Sequence, residues 1–320
     1  MMRMILRRAV LAALSLALTA CGNGSSTLAP TDHGLVATTT IWADITSNVA
    51  CGEPVVAIIP TGADPHTFEP SLRDRQLLDN AAVVIANGSQ LEESLLDLLA
   101  TVAADGTAVV EMTPHVDLLH SVMGRIGEIV PADGVYDGSG DDDHGSSDID
   151  PHIWQDPTRV AGALDVIAST LIANGRDPDQ IQACTDAYRV ELENLDAGIT
   201  ELLGSIPADR RFMVTNHDAF SYFAVRYGFE IVGTVIPSIS TIAETSAAQL
   251  VHLAAVIADY QVPAIFTEQL ASDADAESLA KRLDVAVVPL TADSLDSHGS
   301  ASTYVGMLRS NAEAIAAALA

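Results

Sequence analysis

The sequence predicts an α/β protein of two lobes, each a roughly four-stranded parallel sheet with flanking helices, joined by one long rigid helix. Eight short segments are apolar almost without interruption, as strands covered on both faces of a parallel sheet should be. Helical patterns separate these segments, and the eight fall into two groups of four. Between the groups runs one apolar stripe at helical spacing. With 48% hydrophobic residues among 320, the chain has ample material for a packed core.

The eight predicted strands follow directly from these apolar segments. Those of the N-terminal lobe are LVATTTI (35–41), VVAIIP (55–60), AAVVIAN (81–87) and AVVEM (108–112). Those of the C-terminal lobe are RFMVTN (211–216), EIVGTVI (230–236), AIFTEQ (264–269) and VAVVPLT (285–291). We therefore expect the N-terminal lobe to occupy residues 35–176 and the C-terminal lobe residues 207–320.

The linking helix is predicted over residues 177–206. Its apolar side chains recur at spacings of three and four, at Ile181, Cys184, Tyr188, Leu192, Leu195, Ile199 and Leu202. The pair Asp177-Pro178 is typical of a helix start, and Pro207 marks the end. At 1.5 Å per residue, roughly 28 helical residues span about 40 Å, so we expect a stiff strut between the lobes.

The N-terminus has the pattern of an export signal. Arginines at positions 3, 7 and 8 precede the apolar segment AVLAALSLALTA, which is too short to span a bilayer. The segment ends in LTAC, which resembles the bacterial lipobox and makes Cys21 the expected lipidation site. The alternative is an ordinary secretory signal followed by an unrelated cysteine.

These features predict a signal peptide over residues 1–20 and a flexible, lipid-anchored tether over residues 21–34. The protein is then exported and held at the cell membrane, in a periplasmic or other extracytoplasmic location, through its lipid anchor only. The sequence predicts no membrane-spanning helix elsewhere and does not distinguish a Gram-negative from a Gram-positive envelope.

Cysteine content and charge narrow the classes of function. Apart from Cys21, the chain has Cys51 and Cys184, and in an oxidising compartment a disulfide between them is expected. Two unrelated buried thiols are the alternative. Lys+Arg 15 against Asp+Glu 43 gives a net charge of −28, which excludes nucleic acid as a partner. A cation ligand is compatible with this charge, as is a merely solvated acidic surface.

One segment between the predicted strands fits neither a sheet nor a helix. DGVYDGSGDDDHGSSDID (133–150) is rich in Gly, Ser and Asp and has no apolar period, so it is predicted to be an acidic loop. Its side chains Asp141, Asp142, Asp143 and His144 are candidates for weak auxiliary capture of a divalent cation. A solvated insertion with no role is the alternative.

Three histidines and one aspartate fall where a ligand site is expected. Asp-Pro-His occurs twice, ending in His66 and His152, and the proline stiffens the turn that presents each imidazole. His66, His217 and Asp293 each follow a predicted strand, and open parallel sheets bind ligands beyond the carboxyl ends of their strands. Three imidazoles and one carboxylate suit tetrahedral Zn²⁺; the alternative is that each histidine is structural.

Three acidic residues receive structural interpretations. Glu92 and Glu93, in LEESLLDLL, have the pattern of first-turn helix acids favoured by the helix dipole. Glu268, in FTEQ, is the nearest candidate for a general base by its place at a strand end. A buried, hydrogen-bonded structural role is the preferred interpretation of Glu268.

Several motifs together resemble a known family. PTGADPHTFEPSLRD, NGSQLEESL, DPHIWQDP, TNHDAFSYFAVRYGFEIVG and TADSL occur in this order across residues 35–320. They are similar to motifs of the zinc/manganese substrate-binding lipoproteins of bacterial ABC transporters, in which two lobes are joined by one long helix. Each motif alone is weak, but their combination and order are specific.

The resemblance implies a metal site formed by His66, His152, His217 and Asp293. Manganese-binding members tend to have Glu at the third of these positions, so His217 favours zinc over manganese. Many zinc-binding members carry a long histidine-rich loop before the second Asp-Pro-His, whereas the loop here is short and contains only His144. This difference suggests delivery of zinc by a partner chaperone.

The sequence therefore predicts a monomeric, non-enzymatic protein that captures Zn²⁺ outside the cytoplasmic membrane and delivers it to the permease of an ABC importer. Manganese binding is the main alternative. A zinc hydrolase is disfavoured because four protein ligands leave no open position for water and no HExxH motif is present. A surface adhesin, a role suggested for some relatives, has no independent support in the sequence.

Overall fold

The computed structural model describes residues 34–119, 129–130, 149–268 and 274–320. The predicted signal peptide, nearly all of the tether with Cys21, and the acidic-loop residues Asp141, Asp142, Asp143 and His144 lie outside these ranges. The described residues belong to one compact unit.

The first sheet contains four parallel strands in the order β2-β1-β3-β4. Its strands are β1 (Leu35–Ala37), β2 (Val55–Ala57), β3 (Val83–Ala86) and β4 (Ala108–Glu111). A separate two-stranded antiparallel ladder, which the apolar pattern does not predict, joins β5 (Leu118–Leu119) to β6 (Ile129–Val130).

The second sheet has four parallel strands in the order β10-β9-β7-β8. Its strands are β7 (Phe212–Thr215), β8 (Glu230–Thr234), β9 (Ala264–Glu268) and β10 (Ala286–Leu290). Counted from its first strand, this sheet has the same 2-1-3-4 order as the first sheet. In this order the two central strands, β1 and β3 or β7 and β9, enclose the position at which ligands usually bind. The prediction of two four-stranded parallel sheets is confirmed.

The first predicted strand is too long. β1 ends at Ala37, and α1 begins at Thr40, where Thr39 caps the helix by accepting a hydrogen bond from the backbone N–H of Trp42. The threonines predicted to extend the strand instead supply the cap of α1, because a threonine hydroxyl can accept a hydrogen bond from a free N–H of the first helical turn.

Nine helices connect or flank the strands in the described residues. They are α1 (Thr40–Val49), α2 (Leu72–Asp79), α3 (Leu96–Ala104), α4 (Pro157–Ala173), α5 (Pro178–Gly204), α6 (Ser221–Tyr227), α7 (Ala247–Tyr260), α8 (Ala274–Leu283) and α9 (Tyr304–Leu319).

Helix α5 is the long helix between the two sheets. The Asp177 side chain caps its start and Pro178 occupies the first turn. The buried stripe differs from the predicted one at two positions: Thr185 is buried beside a half-buried Cys184, and Leu203 is buried whereas Leu202 is 37% exposed. The helix packs against α1 and α4 of the N-terminal half and against α9 of the C-terminal half.

One hydrophobic cluster extends through both halves of the molecule. It includes Leu35 and Trp42 from the N-terminal half, Leu192 from α5, and Phe266 and Leu308 from the C-terminal half. The sheets are thus held together by shared apolar packing in addition to α5, which favours a rigid arrangement. In the ranges that the structure covers, none of the helices has the length and apolar character needed to cross a membrane.

Candidate metal centre

Four side chains from distant parts of the chain meet in the interior. They are His66, His152, His217 and Asp293, here called the His3Asp cluster, and their ligand atoms all lie within 4.8 Å of one another. The Nε2 atom of His152 is 3.4 Å from that of His66 and 3.3 Å from that of His217. Asp293 Oδ1 lies 3.8 Å from His152 Nε2, and Asp293 Oδ2 lies 3.7 Å from His217 Nε2.

His66 reaches the cluster from a turn that follows β2. The carboxylate of Asp64 accepts the backbone N–H of His66 at 2.9 Å, and Pro65 between them is buried. Because proline fixes φ and the carboxylate closes the turn, the backbone before the imidazole has little freedom.

His152 is presented by the same local device, at the start of the segment that enters α4. Asp150 Oδ1 accepts the His152 backbone N–H at 2.9 Å and lies 2.7 Å from the ring Nδ1. The ring therefore donates through Nδ1 and directs the lone pair of Nε2 into the cluster. The two Asp-Pro-His motifs differ here, since only the second aspartate reaches its own imidazole ring.

His217 and Glu268 meet because of strand register. β7 and β9 pair with Thr215 opposite Phe266. His217, two residues past the end of β7, therefore stands beside Glu268, the last residue of β9. The ring Nδ1 lies 2.8 Å from Glu268 Oε1, and both side chains are buried. The pair occupies the central position of the second sheet, where ligands are expected.

Asp293 follows β10 and is held by the opposite half of the molecule. Trp154 donates its indole N–H to the carbonyl of Ala292 at 2.8 Å, and Tyr304 donates to the carbonyl of Trp154 at 2.7 Å. These contacts join the segment that carries His152 to the segment that carries Asp293. In the part of the chain that the structure describes, no hydrogen-bond donor reaches the buried Asp293 Oδ1.

A buried network under the His152 turn was not anticipated. Glu92 accepts the Thr38 hydroxyl and the backbone N–H of Asn87 at 2.9 Å, and only 1% of Glu92 is exposed. Asn87 in turn donates to the carbonyl of Pro151 at 2.9 Å. The interpretation of Glu92 as a first-turn helix acid is therefore wrong: it precedes the short 3-10 helix Glu93–Leu95, and its buried carboxylate accepts several donors at the end of β3. Glu93 lies in the first turn of that helix, as predicted. An acidic residue six positions after the end of the buried strand β3 was the signal available.

Burial and charge set the protonation of the cluster. Burial, followed by the neighbouring imidazoles, lowers the pKa of His66 to about 3, and burial followed by His217 lowers the pKa of His152 to about 3. Burial alone would lower the pKa of His217 as well, but the Glu268 carboxylate raises it to about 9. Burial raises the pKa of Asp293 to about 8 and that of Asp150 to about 7. His66 and His152 are thus neutral at pH 7, the form that binds a metal.

The described cysteines and the remaining described histidines lie away from the cluster. Cys51 and Cys184 are bonded, with sulfur atoms 2.15 Å apart. His115, His252 and His298 have exposed side chains, in keeping with their absence from the His3Asp cluster.

The chain matches one protein family over almost its whole length. Residues 35–318 match the family described as zinc-uptake complex component A, periplasmic. The zinc-binding protein TroA of Treponema pallidum is 30% identical over 308 residues, which cover 93% of this chain and 92% of TroA. The manganese-binding lipoprotein MntA of Halalkalibacterium halodurans is 28% identical over 315 residues, 95% of each chain.

A solved structure has the same fold. The structure of the periplasmic zinc-binding protein TroA from Treponema pallidum aligns with a TM-score of 0.76 and 28% identity, covering 89% of this chain and 98% of that one. The two relatives have similar identity to this chain, yet one is named for zinc and the other for manganese. Their names describe TroA as periplasmic and MntA as a lipoprotein.

Proposed function

Since the chain belongs to the zinc-uptake complex component A family and is a metal-binding substrate-binding protein of an ABC importer, not an enzyme, we propose that its cargo is Zn²⁺. His66, His152, His217 and Asp293 are the proposed ligands. The manganese-binding alternative has the same site and differs only in the preferred cation.

The convergence of three Nε2 atoms carries the proposal. Zn–N bonds of about 2.0–2.1 Å place two nitrogens of a tetrahedral site about 3.3 Å apart, close to the 3.3 and 3.4 Å between His152 and its two neighbours. His152 donates through Nδ1 to Asp150 and therefore presents a lone pair at Nε2. A cation at the centre of the cluster takes up this lone pair together with those of His66 and of His217, which gives up its proton when the metal binds. The buried Asp293 Oδ1, which no donor reaches within the described residues, gains a partner from the same cation.

The donor set favours zinc over manganese. Imidazole nitrogen suits Zn²⁺, whereas Mn²⁺ prefers carboxylate, carbonyl and water oxygens. Three of the four proposed ligand atoms are imidazole nitrogens. Four protein ligands complete a tetrahedral shell, as in zinc sites that hold the metal without activating water.

Partners and location follow from the same class of protein. Substrate-binding proteins of ABC importers work with a membrane permease and an ATPase. We propose that this monomer is exported, is anchored through lipid on Cys21, and receives zinc from solution or from a chaperone. The lobes are proposed at residues 35–176 and 207–320, with residues 177–206 as the connection.

The proposal is tested by metal content and titration. Protein purified without added metal is expected to retain zinc, and metal-stripped protein is expected to bind Zn²⁺ at least about tenfold more tightly than Mn²⁺ in calorimetric titrations. Tighter binding of Mn²⁺ would overturn the choice of cargo. If neither Zn²⁺ nor Mn²⁺ raised the melting temperature of the metal-stripped protein, the proposed site itself would be wrong.

Glu268→Gln is expected to weaken zinc binding by about 10–100-fold. The substitution keeps the shape of the side chain but removes the negative charge beside Nδ1 of His217, and a partner of this kind orients a metal-bound imidazole and raises its basicity. Competition titration against a chromophoric chelator measures the change. Glu244→Gln, at an exposed position, is the matched control, and equal affinities of the two variants would contradict the prediction.

A further inference from the structure

The three imidazoles of the His3Asp cluster are not held equally. His152 and His217 each have a buried carboxylate at Nδ1, from Asp150 and Glu268. Among the described residues, no ion pair is formed by either ring nitrogen of His66, and Asp64 contacts its backbone only. His66 is also the most exposed of the three histidines, at 6% against 0% for the others. Its position therefore depends on its backbone segment.

That backbone segment, residues 61–66, is held from the C-terminal half of the chain. Asp64 uses Oδ1 for the His66 N–H and Oδ2 to accept the hydroxyl of Thr241 at 2.5 Å. Thr241 lies in the connection between β8 and α7, 177 residues further along the chain. One carboxylate thus links His66 to a hydroxyl in the opposite lobe.

A second hydroxyl holds the other end of the same segment. The N–H of Gly62 donates to Ser294 Oγ at 3.1 Å, and Ser294 directly follows the cluster residue Asp293. Residues Thr61 and Gly62 are exposed, and Gly62 has a φ of 80°, a conformation that favours glycine. Two cross-lobe hydrogen bonds therefore fasten a short turn whose first two residues are exposed and whose last two, Pro65 and His66, are buried.

The segment also has free space beside it. A cavity of about 420 Å³ lies between Thr61 and Gly62 on one side and the segment from Thr291 to His298 on the other. If the two hydroxyl contacts open, the turn can move into this space without displacing the buried strands. The carboxylate-backed His152 and His217 have no comparable freedom, because their supports lie in the core.

From this asymmetry we propose that Thr241 is a positioning residue that sets the rate of metal release by holding the His66 segment through Asp64. The inference rests on the proposed metal-binding function. When the Thr241–Asp64 contact is intact, His66 completes the cluster. When it opens, His66 leaves first and the metal is held by three ligands.

Thr241→Val tests the inference because it removes the hydroxyl and keeps the shape. The variant is loaded with zinc and mixed with excess chelator in a stopped-flow instrument, and zinc is expected to dissociate about tenfold faster than from the unchanged protein, as for loss of a hydrogen bond to a charged group. Thr241→Ser, which restores the hydroxyl, is expected to restore the slow rate. The melting temperature of the metal-free protein is expected to fall by no more than about 2–4 °C, because one half-buried hydrogen bond is a small part of the stability of a chain of this size.

Thr245→Val is the matched control. Thr245 is in the same connection and equally half-buried, but its hydroxyl donates to the Val235 carbonyl at 2.7 Å within the C-terminal half, so zinc release is expected to be unchanged. Ser294→Ala removes the second contact and is expected to accelerate release as well, which gives an independent test if Thr241→Val does not fold.

The outcomes separate this inference from the proposed function. If zinc dissociates from Thr241→Val and Ser294→Ala at the rate of the unchanged protein, the positioning role is overturned and zinc binding stands. A faster rate that Thr241→Ser fails to restore also overturns it. If the unchanged protein takes up no zinc, the proposed function fails first.

Discussion

Replacing His217 by alanine is expected to abolish most of the stabilisation that zinc gives to this protein. A ligand that binds only the folded state adds about 4 kcal/mol when its free concentration is 1,000 times Kd. His217 supplies one of the three converging Nε2 atoms, and its loss leaves an incomplete shell at the centre of the second sheet. The increment is measured as the zinc-dependent shift of the thermal midpoint.

The variant must be compared with its own metal-free form. Without His217, the buried Glu268 loses its partner, and an uncompensated buried charge destabilises the fold before any metal is added. His252→Ala is the matched control, since His252 lies exposed on α7, and it should keep the full zinc increment. If His217→Ala retained the whole increment, His217 would not be a ligand.

Removal of the Cys51–Cys184 disulfide is expected to lower the free energy of unfolding by about 3–5 kcal/mol. The bond joins residues 133 positions apart, so the loop that it closes in the unfolded chain is long and the entropy that it removes is large. It ties the end of α1 to the first turns of α5. Urea denaturation of the Cys51→Ala/Cys184→Ala variant measures the loss.

A double-mutant cycle distinguishes the bond from packing of the two sulfur atoms. If the bond is responsible, Cys51→Ala and Cys184→Ala each lose about as much as the double variant, because either change breaks it. Losses that add up instead would indicate two independent thiols. Detection of two reactive thiols after unfolding without a reducing agent would also indicate that the bond is absent.

The fold could be predicted from the sequence because strands and helices are encoded by residues close together in the chain. Each of the eight strands contains a run of apolar residues, and the cap and stripe of α5 are encoded within the helix itself. The error at β1 is also local: Thr39 and Thr40 suit a strand by propensity, and a hydroxyl that caps α1 decides otherwise. The order of strands within each sheet was not predicted, because parallel pairing depends on crossovers that a single sequence does not specify.

The candidate site was likewise predicted only in part: its ligands were predicted, but the residues that support them were not. Residue types and strand ends sufficed to select His66, His217 and Asp293, since imidazole and carboxylate are chemically distinctive and strand ends face the ligand side of a parallel sheet. His152 was selected by the repeated Asp-Pro-His motif. The sequence places Glu92 shortly after a buried strand end, but it does not indicate that Glu92 supports the turn that carries His152, because that relation runs through Asn87 and Pro151.

By itself, the sequence determined the two-sheet α/β class, the long helix and the chemical character of the candidate ligands. Only the tertiary structure decided which groups support them: Glu268 beside His217 through strand register, and Thr241 on Asp64 across the two halves. The physical reason is that element type is encoded by neighbouring residues, whereas these contacts join residues 51 and 177 positions apart. Such contacts exist only after the two sheets have packed into one core.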